Sequence, residues 1–256
     1  MVARVYPFDL SFQFAGYRVY YRFGNSLITR VRHADGSFEP ELVARIISRL
    51  EKESEPVLLD VGANLGLITL AIKHRVPKTR VYAFEPGPVQ SALLRKTIRN
   101  NGLGDTVSVI EAAASDAEGI ISFFTHAGGD EAKDGIENTG RGAPAHRIEV
   151  RATTLDLWAQ SLPLTSVSVI KIDTEGAELL VLRGARGLLK RFRPYVYFEL
   201  DLRNLKAYPH TAEDIMDFFL DAQYSVMTLD GKVASRHSIL ELMRQTDTFV
   251  AYPENA

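Results

Sequence analysis

Two acidic residues sit at the ends of short apolar runs: Asp60 in VLLDVGANLG and Glu85 in YAFEPGP. A strand ending in Asp60 runs into the turn Gly62-Ala63-Asn64-Leu65-Gly66 and then into an apolar helix. Glycines there let a ligand approach the backbone, and a helix N-terminus offers free N–H groups. An acidic residue ~20 residues beyond such a turn is where a ribose diol is held, its carboxylate accepting both hydroxyl protons. Glu85 occupies that place, in a turn stiffened by Pro86 and Pro88. The turn is neither G-x-G-x-x-G nor G-x-x-x-x-G-K-[ST], so no pyrophosphate fingerprint and no P-loop is present. An acidic nucleoside site without a phosphate cradle suits a cationic nucleoside. S-adenosylmethionine, with its sulfonium, ammonium and ribose, is such a molecule.

A second acidic set follows later in the chain. Lys171-Ile172-Asp173-Thr174-Glu175 closes an apolar run, Glu199 and Asp201 close another in YFELD, and His210 precedes a helix. Three roles are open to Asp173: holding the ammonium of the methionine moiety, accepting a hydroxyl proton, or ligating a metal. Glu175 reads equally as a helix-dipole or capping partner. Glu199 and Asp201 read equally as partners of Arg203. A lone histidine before a helix is more often at the surface than in a reaction. Asp173, Glu199 and Asp201 are oxygen donors of the kind Mg²⁺ uses, although their spacing does not show that they converge.

These residues need an alternating α/β framework to come together. Residues 57–61, 80–85, 106–112, 166–173 and 194–200 read as strands whose continuous apolar character fits a parallel sheet covered on both faces. Helices follow over 65–75, 88–101 and 175–192. Thr211 and Asp214 form a capping pair before a further helix, and YSVMTL and TFVAY close the chain as two strands. Before residue 56, an aromatic–polar alternation reads as a strand pair turning at Gly24-Asn25, and PELVARIISRLE reads as a helix. Residues 1–55 are thus expected to be an extension on a single domain over 56–256. Two extra strands, 120–126 and 146–152, flank a stretch over 125–146 with five glycines and no apolar periodicity. Long stretches of that kind are commonly functional, and a lid is the natural reading. Trp158 and Leu155, at helical spacing, read as core. Lys190, Arg191 and Arg193 read as complements of a helix dipole.

Composition narrows the function. The chain has 256 residues and a net charge of -2, which disfavours a nucleic-acid partner. It has no cysteine, which excludes disulfides, thiolate metal sites and thiol nucleophiles. The longest apolar run, 57–72, contains Asp60, Asn64 and two glycines and is too short for a membrane span. A soluble, cytoplasmic protein is the expectation, and no oligomeric state is legible.

DVGANLG (60–66), FEPGP (84–88), AASDAEG (113–119), TTLDLW (153–158) and above all IKIDTEGAELLVLRGA (170–185) resemble the FkbM family of S-adenosylmethionine-dependent methyltransferases. The resemblance runs from about residue 56 to 220 and includes the Asn64 form of the turn. It implies a Rossmann-like class I methyltransferase sheet, mostly parallel, with a C-terminal antiparallel hairpin. It also implies O-methylation of a small-molecule, sugar, glycan or polyketide-like acceptor. The expected cofactor set is Asp60, Gly62, Asn64, Gly66, Glu85, Pro86, Ala113 and Asp173. The expected catalytic set is Asp173, Glu175, Glu199 and His210, with Mg²⁺ as a second candidate cofactor. The first 50 residues carry no motif of the family, so acceptor choice is expected there and in 125–146. Competing readings are a nucleotide-sugar or NAD(P)-dependent enzyme on a similar sheet, disfavoured by the missing glycine fingerprint, and a non-catalytic cofactor-binding module.

Overall fold

The computed structural model describes residues 9–22, 25–33, 36–126, 133–141 and 145–254. The parallel core forms where the apolar runs predict it. β3 (Val57–Val61) pairs in parallel with β4 (Arg80–Phe84) and with β9 (Val169–Ile172). β5 (Val107–Ile110) extends the sheet beyond β4, and β10 (Tyr195–Glu199) extends it beyond β9. The chain then reverses. β13 (Thr248–Pro253) lies antiparallel to β10, and β11 (Tyr224–Thr228) lies antiparallel to β13. A short β12 (Val233–Ala234) completes the order β12-β11-β13-β10-β9-β3-β4-β5 among the described residues. The expected mostly parallel sheet with an antiparallel C-terminal pair is thus present.

Both faces of this sheet are buried, and the alternation of side chains decides which layer each residue joins. Along β3, Leu59 and Val61 join one core with Phe84, Ile170 and Phe198. Leu58 joins the other, with Val81, Ala83 and Val169. Helix α2 (Pro40–Leu50) buries Leu42, Ile46 and Leu50 in that second core, beside α3 (Leu67–Arg75) and α4 (Pro88–Asn100). The first core is closed by α6 (Glu178–Arg183), α7 (Arg186–Phe192) and α9 (Ala212–Asp221). Thr211 and Asp214 form the expected capping box of α9. Trp158, on α5 (Leu155–Gln160), stacks edge-on against Tyr82 and Phe84 in that core.

Several expectations are corrected. The N-terminal strand pair is β1 (Leu10–Phe14) with β2 (Tyr17–Tyr21), and it turns at Ala15-Gly16, both at positive φ. Residues 27–31, expected as the second strand, lie in α1 (Ser26–His33). Asn25 caps it by accepting the Ile28 N–H, and Leu27, Ile28 and Val31 bury one face. Gly24 lies outside the described residues. The helix expected over 175–192 is two helices, α6 and α7, broken at Gly184-Ala185. At Gly184 a Cβ would stand 2.0 Å from the Ser115 carbonyl oxygen, so the strand tip and the helix pair meet backbone to backbone. Asp156 then caps α7, accepting from Gly187 and Leu188. Lys190, Arg191 and Arg193 end α7 as expected. Arg191 donates to Leu164, and Arg193 to the Ala222 and Gln223 carbonyls.

The two strands flanking the glycine-rich stretch form a separate sheet. β7 (Gly119–His126) pairs antiparallel with β8 (Ala145–Thr153), and β6 (Ala113–Ala114) joins β8 in parallel. This sheet stands at the carboxyl edge of the main one. β7 and β8 match the strands expected over 120–126 and 146–152 to within one residue at each end.

Candidate active site

The tips of β3 and β4 are locked by backbone contacts. Gly62 and Ala63 both donate to the Phe84 carbonyl at 3.0 Å. Gly62 has φ +75, and a Cβ there would stand 1.8 Å from the Asp173 carbonyl oxygen, so only glycine allows the β3 and β9 tips to touch. Asn64, also left-handed at φ 50, donates its N–H to Glu85 Oε2 at 2.8 Å. Gly87 donates to Glu85 Oε1 at 2.8 Å. Each Glu85 oxygen thus accepts one backbone bond and retains acceptor capacity for a ligand. Burial pushes the Glu85 carboxyl up to about 7, against the pull of those two N–H groups.

Beneath the turn, Asp60 is fully buried. It accepts from Thr69 Oγ1 at 2.6 Å and stands 3.5 Å from Lys171 Nζ. Lys171 rises from β9 between three acceptors: Asp60, the Gly62 carbonyl at 3.0 Å, and Asp173 at 3.4 Å. Despite its burial, the charges of Asp173 and Asp60 hold its ammonium above the usual lysine range. Lys171 therefore ties two strand tips together and presents a fixed cation under Asp173.

The tips of β9 and β10 carry the second acidic set. Glu199 faces Asp173. Burial pushes its carboxyl well above the usual range, and the Asp173 and Glu175 charges and a hydrogen bond to Asp173 add to the effect. Glu175 sits at φ 55, where its Oε2 accepts from Asn204 at 2.7 Å and from Arg141 at 3.1 Å. Burial, then the Asp173 charge, lifts its carboxyl to about 8. The loop that carries Glu175 is organised by Glu178. Its Oε1 accepts from the Thr174 N–H and hydroxyl and from the Gly176 N–H, and burial pushes it up to about 7.

Residues 133–141 pack across these tips. Gly135 and Phe124 exchange backbone hydrogen bonds, the Glu137 N–H donates to the Tyr208 hydroxyl, and Asp134 accepts from the His126 N–H at 2.7 Å. Arg141 joins Glu175, Asp201 and Asn204, the latter two at the start and within the short helix α8 (Leu202–Leu205). The described part of the expected lid is thus a wall of the site. Residues 127–132 and 142–144 lie outside the described residues.

Together these elements enclose a cavity of about 510 Å³. Of the expected site residues, Gly62, Asn64, Glu85, Pro86, Ala113, Asp173, Glu175 and Glu199 line it. Four expected residues do not line it. Asp60 lies under the floor, spent on Thr69 and Lys171. Gly66 faces Leu94, whose Cδ1 is 2.4 Å from where a Cβ would stand. Asp201 caps α8 and pairs with Arg203 and Arg141. His210 is buried, and its Nε2 donates to the Gly176 carbonyl at 3.0 Å, so it props the Glu175 loop from behind. Burial holds its imidazole below the usual range.

Among the described residues no group of three or more His, Asp and Glu could hold a metal ion. The proposed triad is split, because Asp201 turns to two arginines while Asp173 and Glu199 face each other over Lys171. Lys171, Glu178, Arg141 and Asn204 were not among the expected site residues. For Lys171 a signal existed: it is the charged residue in VIKI, a strand whose neighbours demand apolar faces. Arg141 had none, since it lies in a glycine-rich stretch.

The methyltransferase FkbM domain model matches residues 60–226. The chain is 31% identical over 191 residues to the 2-O-methyltransferase NoeI of Sinorhizobium fredii, covering 68% of this chain and 76% of the relative. It is 27% identical over 163 residues to the hexuronic acid methyltransferase AglP of Haloferax volcanii, covering 64% and 62%. It is 28% identical over 160 residues to the 31-O-demethyl-FK506 methyltransferase FkbM of Streptomyces tacrolimicus, covering 50% and 58%. The FkbM match runs from Asp60 near the end of β3 to Val226 within β11 and so spans the strand tips described above, and the chain belongs to the FkbM methyltransferase family.

Proposed function

We propose that this chain is an S-adenosylmethionine-dependent O-methyltransferase acting on a hydroxyl of a small-molecule, sugar or polyketide-like acceptor. The observation that carries the reading is one cavity lined by Glu85 at the β4 tip and by Asp173 and Glu199 at the β9 and β10 tips, above the Gly62–Asn64 turn. The names of three relatives agree with it: two specify an oxygen as the methylated atom or site, and one a hexuronic acid.

The residues fit the cofactor. Glu85 has acceptor capacity for a ribose diol, while the wall carboxylates complement a sulfonium and an ammonium. The backbone has no phosphate-binding glycine arrangement. When bound, S-adenosylmethionine supplies an electrophilic methyl group on a sulfonium. Glu85, Asn64 and Ala113 would hold its nucleoside, and Asp173 its charged end. Most of the rate is expected from orientation of the acceptor. A carboxylate is a weak base toward an alcohol, so Asp173 would take the hydroxyl proton as the acceptor oxygen bonds the methyl carbon and the methyl–sulfur bond breaks, leaving a neutral thioether. Base assistance of this kind is worth ~10²–10⁴-fold. Lys171, 3.4 Å away, holds Asp173 in place.

Residues 1–55 serve in this reading as an extension whose helices complete the acceptor side. No helix among the described residues is long and apolar enough to cross a membrane. A cytoplasmic location with a diffusible acceptor fits the reading. The test is a radiolabelled methyl-transfer screen over sugars, nucleosides and polyketide-like alcohols. Label appearing on an oxygen of one class supports the proposal. Binding of the cofactor without transfer to any class would make the chain a binding module, and label on nitrogen or carbon would overturn the O-methyl reading.

A further inference from the structure

Glu175 lines the cavity with Asp173 and Glu199, and its two oxygens have different surroundings. Oε2 accepts from Arg141 Nη1 at 3.1 Å and from Asn204 Nδ2 at 2.7 Å. Oε1 bonds to no described residue and is not sealed from water. One oxygen is held by the protein, and the other is left for a group that enters the cavity.

The grip on Oε2 is a closed ring of three side chains. Arg141 Nη1 also donates to Asn204 Oδ1, so the Asn204 amide gives to Glu175 and takes from Arg141. Asn204 lies on α8 and is only 2% exposed. A buried amide needs a partner at each end, and leaving one end empty costs more than the bond itself contributes. Asn204 therefore favours one arrangement, in which a guanidinium and a carboxyl group meet in front of it. Asp201 stands 3.3 Å from the same Arg141 nitrogen but does not draw it away, because Arg203 engages both Asp201 oxygens.

Arg141 belongs to the stretch 133–141, which meets the Glu175 loop at two further places. A Cβ on Gly135 would stand 3.5 Å from the Glu175 Cβ, so the stretch packs directly on the Glu175 side chain. The Glu137 N–H donates to the Tyr208 hydroxyl at 3.2 Å. The Tyr208 ring in turn closes on Gly176, where a Cβ would stand 2.5 Å from Cε2. The stretch and the loop thus fix each other at three points, and the charged point is the one that orients the carboxyl group.

We propose that Arg141 is a positioning residue for methyl transfer: with Asn204 it holds Glu175 so that Oε1 hydrogen-bonds a polar group of the acceptor, beside the hydroxyl that faces Asp173. The inference rests on the O-methyl reading and deepens it. Glu175 touches the acceptor, and Arg141 acts only through Glu175. Orientation of the acceptor is then shared between the β9 tip and a stretch of chain that lies outside the main sheet.

The test uses the full chain, labelled S-adenosylmethionine, and the sugar, nucleoside or polyketide-like alcohol that the parent labels fastest. Arg141→Met should lower kcat/KM for that acceptor about tenfold or more, the scale of a hydrogen bond to a charged group. Arg141→Lys, which keeps the charge, should recover part of the loss, and it carries the test if Arg141→Met does not fold. Glu175→Ala should lose at least as much as Arg141→Met. The double variant should be no worse than Glu175→Ala to within about twofold, because both changes remove the same contact. The calorimetric Kd for the demethylated cofactor should stay within about threefold throughout. A kcat/KM in Arg141→Met within about threefold of the parent, no recovery in Arg141→Lys, or losses that multiply in the double variant would each overturn the inference. An equal loss of cofactor affinity would also overturn it, by assigning Arg141 to the cofactor. All four outcomes leave the O-methyl reading standing. Label from the parent on no acceptor of any class removes both.

Discussion

The two ends of the cavity solve the problem of presenting an acid in different ways. At the β3–β4 end, a single carboxylate, Glu85, is fixed by two backbone N–H groups from the turns on either side of it. At the β9–β10 end, Asp173, Glu175 and Glu199 crowd together, and their mutual repulsion is relieved by protons, Lys171 and Arg141. The first arrangement is local and rigid, suited to an invariant partner such as a ribose. The second stores charge that can be redistributed, which suits a reaction in which a proton must move. Carboxyls held up by burial and by one another are the groups that exchange protons near neutral pH.

The strongest way to break this contrast is to remove the cation that joins the two ends. Lys171→Met should cost about 3–5 kcal/mol of stability, because it leaves Asp60 and Asp173 without their buried partner. Denaturant unfolding measures it. A loss under about 1 kcal/mol would mean that Asp60 and Asp173 do not depend on the lysine. Next, Asp173→Asn keeps the shape and removes the charge. We expect kcat to fall by at least ~10²-fold with the melting temperature preserved. Near-normal turnover would leave orientation alone as the source of rate and end the idea of a reactive acidic end.

The β3–β4 end is tested by Glu85→Gln, which should weaken cofactor binding by ~1.5–3 kcal/mol in calorimetry, the scale of hydrogen bonds to a charged group. The pH profile sharpens the same point. Burial raises the folded Glu85 pKa from 4.5 to about 7, so the native, ligand-free protein is protonated there below neutrality. Ribose hydroxyls bind the ionised form, so a proton must be released on binding at low pH. Cofactor affinity should therefore rise about tenfold between pH 6 and pH 8, and Glu85→Gln should flatten that rise. For stability the sign is opposite. Buried carboxyls with raised pKa, Glu85 and Glu178 at about 7, favour the fold fully below the unfolded value near 4.5. That contribution is lost as pH climbs through 7, so the ligand-free protein should melt lower at pH 8 than at pH 5.5. A melting temperature that rises over this interval would contradict the burial of both groups.

The smallest expected effect concerns His210, which lies behind the Glu175 loop. His210→Asn should cost about 1 kcal/mol of stability through the lost bond to Gly176 and leave kcat within about threefold. A fall of ~10²-fold would return the histidine to the chemistry.

Much of this architecture was legible before any coordinates. The apolar runs ending in Asp60, Glu85, Asp173 and Glu199 fixed the strand tips, because a strand buried on both faces tolerates charge only at its end. Lys171 breaks that rule inside a strand, and the break marked a site residue that the tip rule alone passed over. The left-handed Glu39 and Glu175 gave no signal, since nothing local in the sequence asks a glutamate to adopt positive φ. Residues 27–31 misled because a short apolar run has no unique period, and Asn25 decided for a helix by capping it.

By itself, then, the amino-acid sequence determined which residues lie at the carboxyl edge of the sheet and that a phosphate cradle is missing. Those properties follow from side-chain periodicity and turn chemistry, which act over a few residues. Only the tertiary structure decided the rest. It put Asp60 beneath the floor, turned Asp201 and His210 away from the cavity, and brought Arg141 from the glycine-rich stretch onto Glu175. Those outcomes depend on which charges share one buried volume, and a charge out of water must find its partner wherever in the chain the fold delivers one.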